Sequence, residues 1–190
     1  MTITTLDPKT ALIVIDMQKG IVDLPLVHPI KPIIERTQDL LNTFRARGLP
    51  VVLARVVGTA PGRTESPRFD PDGVPDDFAD LIPALNQQSS DIVCAKRSWG
   101  AFATTDLESR LKGMGVTQVV VIGVATATGV EATARQAYEA GFNVTLASDV
   151  MTDIREEAHD YSLKHVFPRL GEVGTTSDII GMMGREKRGP

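Results

Sequence analysis

Three positions combine reactive groups with the ends of apolar runs in the sequence. Asp16 follows ALIVI, Lys96 follows DIVCA, and residues 125–129 follow VVVIGV at the start of a predicted helix. A carboxyl group can exchange a proton with a substrate, an ammonium can polarise it, and the first turn of a helix offers backbone N–H groups to an anion. Together, these groups predict a site that polarises and protonates a small substrate.

The elements that must position these groups alternate between strands and helices. Short apolar runs are typical of strands buried on both faces, and apolar residues three and four apart are typical of amphipathic helices. They predict strands at 11–15, 51–57, 91–95, 119–122 and 144–147, with a short sixth at 172–176. They predict helices from 30 to near Gly48 and at 105–114, 128–140 and 153–167, followed by a C-terminal helix.

This alternation predicts an α/β fold with one doubly wound, Rossmann-like parallel sheet of about six strands and helices on both faces. Ligands bind such sheets at the carboxyl ends of the strands, where the three reactive positions lie. Residues 58–77 contain four prolines and three glycines without periodicity, which predicts a long surface loop.

Composition limits the class of protein. A length of 190 residues is typical of one domain, so we expect residues 1–190 to form a single domain. The formal net charge of −4 and the lack of basic runs argue against nucleic acid or a membrane as partner. Apolar runs are far shorter than the roughly 20 residues of a membrane span, and the N-terminus lacks a signal peptide pattern. Cys94 is the only cysteine, which is typical of a cytoplasmic protein.

Three segments resemble the isochorismatase-like superfamily, also called the cysteine hydrolases. They are ALIVIDMQKG around Asp16, AKRSWGAF around Lys96, and VVVIGVATATGVEATARQAYEAGFNVTLASDVMTD. The resemblance covers essentially the whole chain and implies a hydrolase that forms a homodimer or a higher homo-oligomer, with the C-terminal strand and helix as candidates for the interface. It also implies a cis peptide between Val124 and Ala125, and an oxyanion-type site built from backbone groups at Ala125 and Gly129.

The chain departs from the family pattern at one position. The usual G-V-A-T-N-x-C-V-E appears here as residues 123–131 with Gly129 in place of the nucleophilic cysteine. Without that thiol, no thioester can form there. The isochorismatases proper also carry glycine, and in them Asp is thought to protonate a vinyl ether that water then hydrolyses to pyruvate. We therefore predict a non-covalent hydrolase of a small anionic molecule that uses Asp16 and Lys96.

Several alternatives stay open on the sequence alone. The rest of the turn is more similar to the cysteine-bearing branch, so the chain could instead be a C–N (amide) hydrolase, or a decayed paralogue that only binds its ligand. Gly129 is either room for substrate or water, or a simple loss of the nucleophile. Lys96 nearby favours Asp16 as a base, whereas sufficient burial favours it as an acid. Trp99 either lines the pocket or packs on the core.

Further residues are candidates for substrate binding or are excluded from chemistry. We expect substrate contacts from Gln18, Trp99, Ala125, Thr126 and Thr128. Arg63 and Arg68 either reach a substrate carboxylate or are solvated. Cys94 lies two residues before Lys96 and so on the same face of the strand; it is either a replacement nucleophile or a small core thiol, and we expect the core thiol. His28, His159 and His165 are too scattered to bind a metal. Residues 55–58 lack the histidine that metal-binding relatives carry, and no glycine-rich nucleotide motif is present, so we predict neither metal nor cofactor.

Overall fold

The computed structural model describes residues 3–67, 70 and 73–185, so Arg68 lies outside the described residues. Its centre is one six-stranded sheet with the strand order β3-β2-β1-β4-β5-β6, in which every neighbouring pair is parallel. The strands are β1 Thr10–Ile15, β2 Val51–Val56, β3 Ile92–Lys96, β4 Gln118–Val124, β5 Asn143–Thr152 and β6 Glu172–Gly174. This order reverses direction between β1 and β4, which makes the gap between their carboxyl ends the switch point of the sheet.

Helices cover both faces of the sheet. They are α1 Lys19–Val22, α2 Ile30–Ala46, α3 Leu107–Gly113, α4 Glu131–Glu139, α5 Glu156–Tyr161 and α6 Thr176–Arg185. One apolar layer contains residues of α2 and α6, and the opposite layer contains residues of α3 and α4. None of the helices in the described part of the chain is both long and apolar enough to cross a bilayer.

The buried central strands explain why sequence patterning predicts this architecture. All six residues of β1 are buried, with Ala11, Ile13 and Ile15 in one apolar layer and Leu12 and Val14 in the other. A strand enclosed on both faces has no polar side to produce alternation, so it appears in sequence as a continuous apolar run. The prediction of a doubly wound, Rossmann-like parallel sheet of six strands is confirmed.

Strand β5 is longer than the predicted 144–147, because polar residues inside it find partners. The hydroxyl of Ser148 donates to the carbonyl oxygen of Gly174 at 3.1 Å, and Asp149 Oδ1 accepts from the backbone N–H of Thr176 at 2.8 Å. The pairing of β4 with β5 also shifts register between Val121 and Gly123. The extension carries the strand to Thr152, beside the carboxyl end of β4.

Two predicted helices differ from the structure at their ends. The helix predicted at 128–140 begins earlier, with the π-helical turn Thr126–Val130 preceding α4. The segment predicted as one helix at 153–167 contains α5, the π-helical turn Ser162–Val166 and a 3-10 turn at Phe167–Arg169. These changes matter because both segments border the switch point.

Candidate active site

Asp16 and Lys96 form an enclosed ion pair at the carboxyl ends of β1 and β3. Asp16 has a φ of +49°, a conformation uncommon for residues other than glycine, directly after β1. Lys96 Nζ donates to Asp16 Oδ2 at 2.8 Å and to the carbonyl oxygen of Ser98 at 3.2 Å. The side chain of Lys96 is 1% exposed and that of Asp16 is 8% exposed, so the pair is almost entirely removed from water.

Burial dominates the protonation of Asp16. It raises the pKa of Asp16 to about 6, although the charge and hydrogen bond of Lys96 act in the opposite direction. A carboxyl with that pKa is about 10% protonated at pH 7, so it can both give and accept a proton near neutrality. The other oxygen, Oδ1, is buried and has no hydrogen-bond partner among the described residues. Burial therefore outweighs Lys96, which is the condition that an acid role for Asp16 requires.

The turn after β4 brings backbone against Asp16. Gly123 has a φ of +121°, and a Cβ there would overlap the carbonyl oxygen of Ile15 on the neighbouring strand, so only glycine allows this approach. The Val124–Ala125 peptide bond is cis, as the family resemblance implies. At Gly129, an added Cβ would lie 3.1 Å from Asp16 Oδ2 and 2.8 Å from Ile15 Cγ2. The π-helical turn therefore packs directly on the acid.

Asp153 anchors this turn and was not singled out by sequence reasoning. Its Oδ2 accepts from the backbone N–H of Ala127 at 2.8 Å, and its Oδ1 accepts from the N–H of Ile154 at 2.8 Å. The side chain is 1% exposed. One signal was present in the sequence: an aspartate at the start of a predicted helix is a typical acceptor for free N–H groups. The bond from Ala127 N–H to Asp153 Oδ2 joins Asp153 to a different helical segment, and only the fold brings the two together.

A cavity of about 740 Å³ opens over the pair. Asp16, Lys96, Trp99, Ala125, Thr128 and Gly129, which are six of the predicted site residues, line it. Trp99 is 67% exposed and lines the cavity, so it forms part of the pocket wall and does not pack in the core. Two cationic side chains also line the cavity, Arg63 from the long loop and Arg155 from the residue before α5. Apolar side chains complete the walls, among them Ile21, Leu24, Phe78 and Ile154.

Two residues expected to bind substrate have other roles. Gln18 is fully buried outside the cavity lining, where its Nε2 donates to the carbonyl oxygens of Val56 and Phe78 at 3.2 Å each and its Oε1 accepts from Val56 N–H at 2.8 Å. The amide is saturated by backbone groups, so it fastens the end of the long loop to β2. Thr126 is also fully buried outside the lining, with Oγ1 2.7 Å from Nδ1 of His159. For both residues, the expectation of substrate contact was wrong.

Histidines that are distant in sequence meet behind the turn. The rings of His28 and His159 are 4.7 Å apart between centroids, with an interplanar angle of 54°. The prediction that the histidines are scattered is therefore wrong for this pair. Among the described residues there is nonetheless no group of three or more His, Cys, Asp or Glu side chains that could hold a metal ion.

Cys94 lies in the core, as predicted. It is 6% exposed, and its Sγ is 3.7 Å from the carbonyl oxygen of Ala101. Burial raises the pKa of this thiol, which keeps it protonated and unreactive. It does not line the cavity.

A doubly wound sheet with an enclosed carboxyl–ammonium pair at its switch point is the architecture of a small-molecule enzyme of the α/β class. The chain matches the family described as "Isochorismatase domain" over residues 10–178. It is 37% identical over 183 residues to the uncharacterized isochorismatase family protein YecD of Escherichia coli O157:H7, which covers 92% of this chain and 96% of that protein. The structure of an isochorismatase family protein from Burkholderia thailandensis superposes with a TM-score of 0.90 at 37% identity, over 96% of this chain and 100% of that one.

The chain belongs to the isochorismatase family, and it is a hydrolase. A further relative, "Nicotinamidase 3" of Arabidopsis thaliana, is 30% identical over 164 residues, which cover 82% of this chain and 79% of that protein. The family thus includes proteins named for amide hydrolysis as well as for isochorismate, and both reactions act on small molecules.

Proposed function

We propose that this hydrolase cleaves the vinyl ether of a small anionic substrate of isochorismate type without a covalent intermediate. One observation carries the proposal. Asp16, with a pKa of about 6 and an Oδ1 that has no hydrogen-bond partner among the described residues, is packed against Gly129. By the family resemblance, Gly129 stands at the position of the nucleophilic cysteine. The site therefore offers a proton donor and no thiol at the turn.

The chemistry follows from these groups. A proton from Asp16 adds to the terminal CH₂ carbon of the enolpyruvyl group, and the ether oxygen supplies electrons to form an oxocarbenium ion. Water adds to that cation and loses a proton to the Asp16 carboxylate, and the resulting hemiketal collapses to pyruvate and an alcohol. Lys96 stabilises the carboxylate in the interval between the two proton transfers. Substrate and one water thus become pyruvate and alcohol, and Asp16 is restored.

The cavity walls support an anionic substrate with an apolar body. Arg63 and Arg155 line the cavity and can each bind a carboxylate through paired N–H groups. Leu24, Trp99 and Ile154 line the same cavity although they are 42%, 67% and 49% exposed. A ring or hydrocarbon segment that covers these side chains removes apolar surface from water on binding.

The direct test incubates the protein with isochorismate and couples pyruvate to lactate dehydrogenase. We expect pyruvate release above the buffer rate, and loss of that release in Asp16→Asn. Release no faster than in buffer would refute vinyl-ether hydrolysis.

Amide hydrolysis is the second candidate, because the family also includes a protein named nicotinamidase. Ammonia release from nicotinamide and from small amide-bearing acids measures it, and we expect none because Gly129 provides no nucleophile. A third possibility is a protein that binds without turnover. Trp99, the only tryptophan, lines the cavity, so quenching of its fluorescence reports ligand binding independently of any reaction. Saturable quenching with no product from any ligand would favour this third function.

A further inference from the structure

The turn that carries Gly129 is held by two side chains of the segment after β5, Asp153 and His159. Thr126, the first residue of the turn, lies with its Oγ1 2.7 Å from Nδ1 of His159. Ala127, the second residue, donates its N–H to Asp153 Oδ2 at 2.8 Å. Thr126 is fully buried and His159 is 5% exposed, so water does not compete for their hydrogen bond.

His159 is itself held on its other side. Its ring packs on that of His28, whose backbone N–H donates to Thr152 Oγ1 at 3.2 Å and whose Nδ1 lies 3.0 Å from the same oxygen. The imidazole of His159 is therefore fixed between Thr126 and His28. Thr126, His159, His28 and Thr152 do not line the cavity, so these four residues do not touch a substrate there.

Burial favours the neutral form of His159 over its charged form. Burial, and after it the ring of His28, lower the pKa of His159, while Asp160, Asp153 and Glu156 act in the opposite direction. His28 faces it from the segment before α2, Asp153 from the end of β5, and Glu156 and Asp160 from α5 itself. The turn Thr126–Val130 contributes no ionisable side chain.

We propose that His159 is a positioning residue that, through its hydrogen bond with Thr126, holds the turn Thr126–Val130 against the end of β1 and so keeps Asp16 enclosed. The consequence for Asp16 is direct, because the turn packs so closely on it that a Cβ added at Gly129 would lie 3.1 Å from Asp16 Oδ2. If the turn moves away, water reaches the carboxyl. This role concerns the burial of Asp16 whatever the substrate, and only its kinetic readout rests on the proposed function.

The test measures the pKa of Asp16 by carboxyl ¹³C NMR in protein labelled at aspartate. In Thr126→Val and in His159→Leu, we expect that pKa to fall by about 1 from its value in the wild type, because hydration favours the carboxylate. His159→Asn retains a side-chain amide that can bond to the Thr126 hydroxyl, and we expect it to recover most of the wild-type value. Thr37→Val is the matched control, since Thr37 is also fully buried and its hydroxyl donates to the Ile33 carbonyl at 2.8 Å, within α2.

A second readout is kinetic. For pyruvate release, we expect kcat to fall about 10–100-fold in Thr126→Val while KM changes less than about threefold, because the acid is displaced and the Arg side chains are not. An unchanged Asp16 pKa in folded Thr126→Val would overturn the proposal, as would an equal change in Thr37→Val. If His159→Leu does not fold, Thr126→Val decides, because it removes one hydroxyl at constant shape. If the pKa falls but no variant or wild type releases pyruvate, the positioning role stands and the proposed reaction fails.

Discussion

The protonation of Asp16 predicts how the stability of the protein depends on pH. Burial raises its pKa from 3.8 to about 6. The folded protein therefore keeps a proton on Asp16 at pH values at which the unfolded chain has lost it. This group contributes stability that is complete below about pH 3.8 and is lost as the pH rises through about 6. The loss is at most about 1.4 kcal/mol per pH unit and amounts to about 2 kcal/mol between about pH 4.5 and 7.

The double variant Asp16→Asn/Lys96→Met isolates this contribution. It replaces both charges with neutral side chains of similar size, so neither buried charge is left without its partner. Guanidinium unfolding of the wild type and the variant at the two pH values gives the difference in their free energies of unfolding. We expect that difference, wild type minus variant, to fall by about 2 kcal/mol on going from the lower to the higher pH. Distant carboxyl groups titrate in both proteins and cancel.

Thr37→Val provides the control, because it changes a fully buried polar side chain in α2 that does not titrate. Its difference from the wild type should be the same at both pH values. If the difference for the double variant also stays constant, Lys96 balances burial, and if it rises with pH, Lys96 outweighs burial. In either case Asp16 would be a carboxylate near neutral pH, and the acid role would fail.

Further outcomes are expected from single changes. Asp16→Asn should slow pyruvate release by about 10²–10⁴-fold in the coupled assay if Asp16 transfers the proton. Lys96→Ala leaves the Asp16 carboxylate buried without its partner and should cost about 3–5 kcal/mol in chemical denaturation. Cys94→Ser, or treatment with iodoacetamide, should leave turnover within about twofold of the wild type, because the thiol lies outside the cavity; a covalent adduct on Cys94 during turnover would contradict this. Light scattering should give about twice the chain mass of 20.5 kDa or more, whereas a particle of chain mass would refute the predicted homo-oligomer.

The parts of the site that follow the sheet were predictable from the sequence. Asp16 and Lys96 are 80 residues apart, yet both come directly at the end of apolar strands, and parallel strands align their carboxyl ends. The direction of the Asp16 pKa was not predictable, because desolvation and the Lys96 charge act in opposite directions. Their balance depends on how fully the neighbouring turn encloses the carboxyl.

The parts that depend on side-chain direction were not predictable. Gln18 and Thr126 lie next to the reactive positions in sequence, but their partners are Val56 and His159, which are 38 and 33 residues away. No local spacing indicates which way such a side chain points after a turn. The contact of His28 with His159 and the polar extension of β5 likewise depend on tertiary packing, which overrides local pattern.

The close packing of Gly129 against Ile15 makes substitutions at these two positions depend on each other. Ile15 is fully buried and branched at Cβ, so its methyl group cannot turn aside for a new Cβ at 129. A mutation that introduced a thiol at 129 would meet steric opposition until a smaller residue had arisen at 15. Covalent catalysis at this turn would therefore need two changes, a smaller residue at 15 and a thiol at 129. Laboratory evolution toward a nucleophile should begin at Ile15.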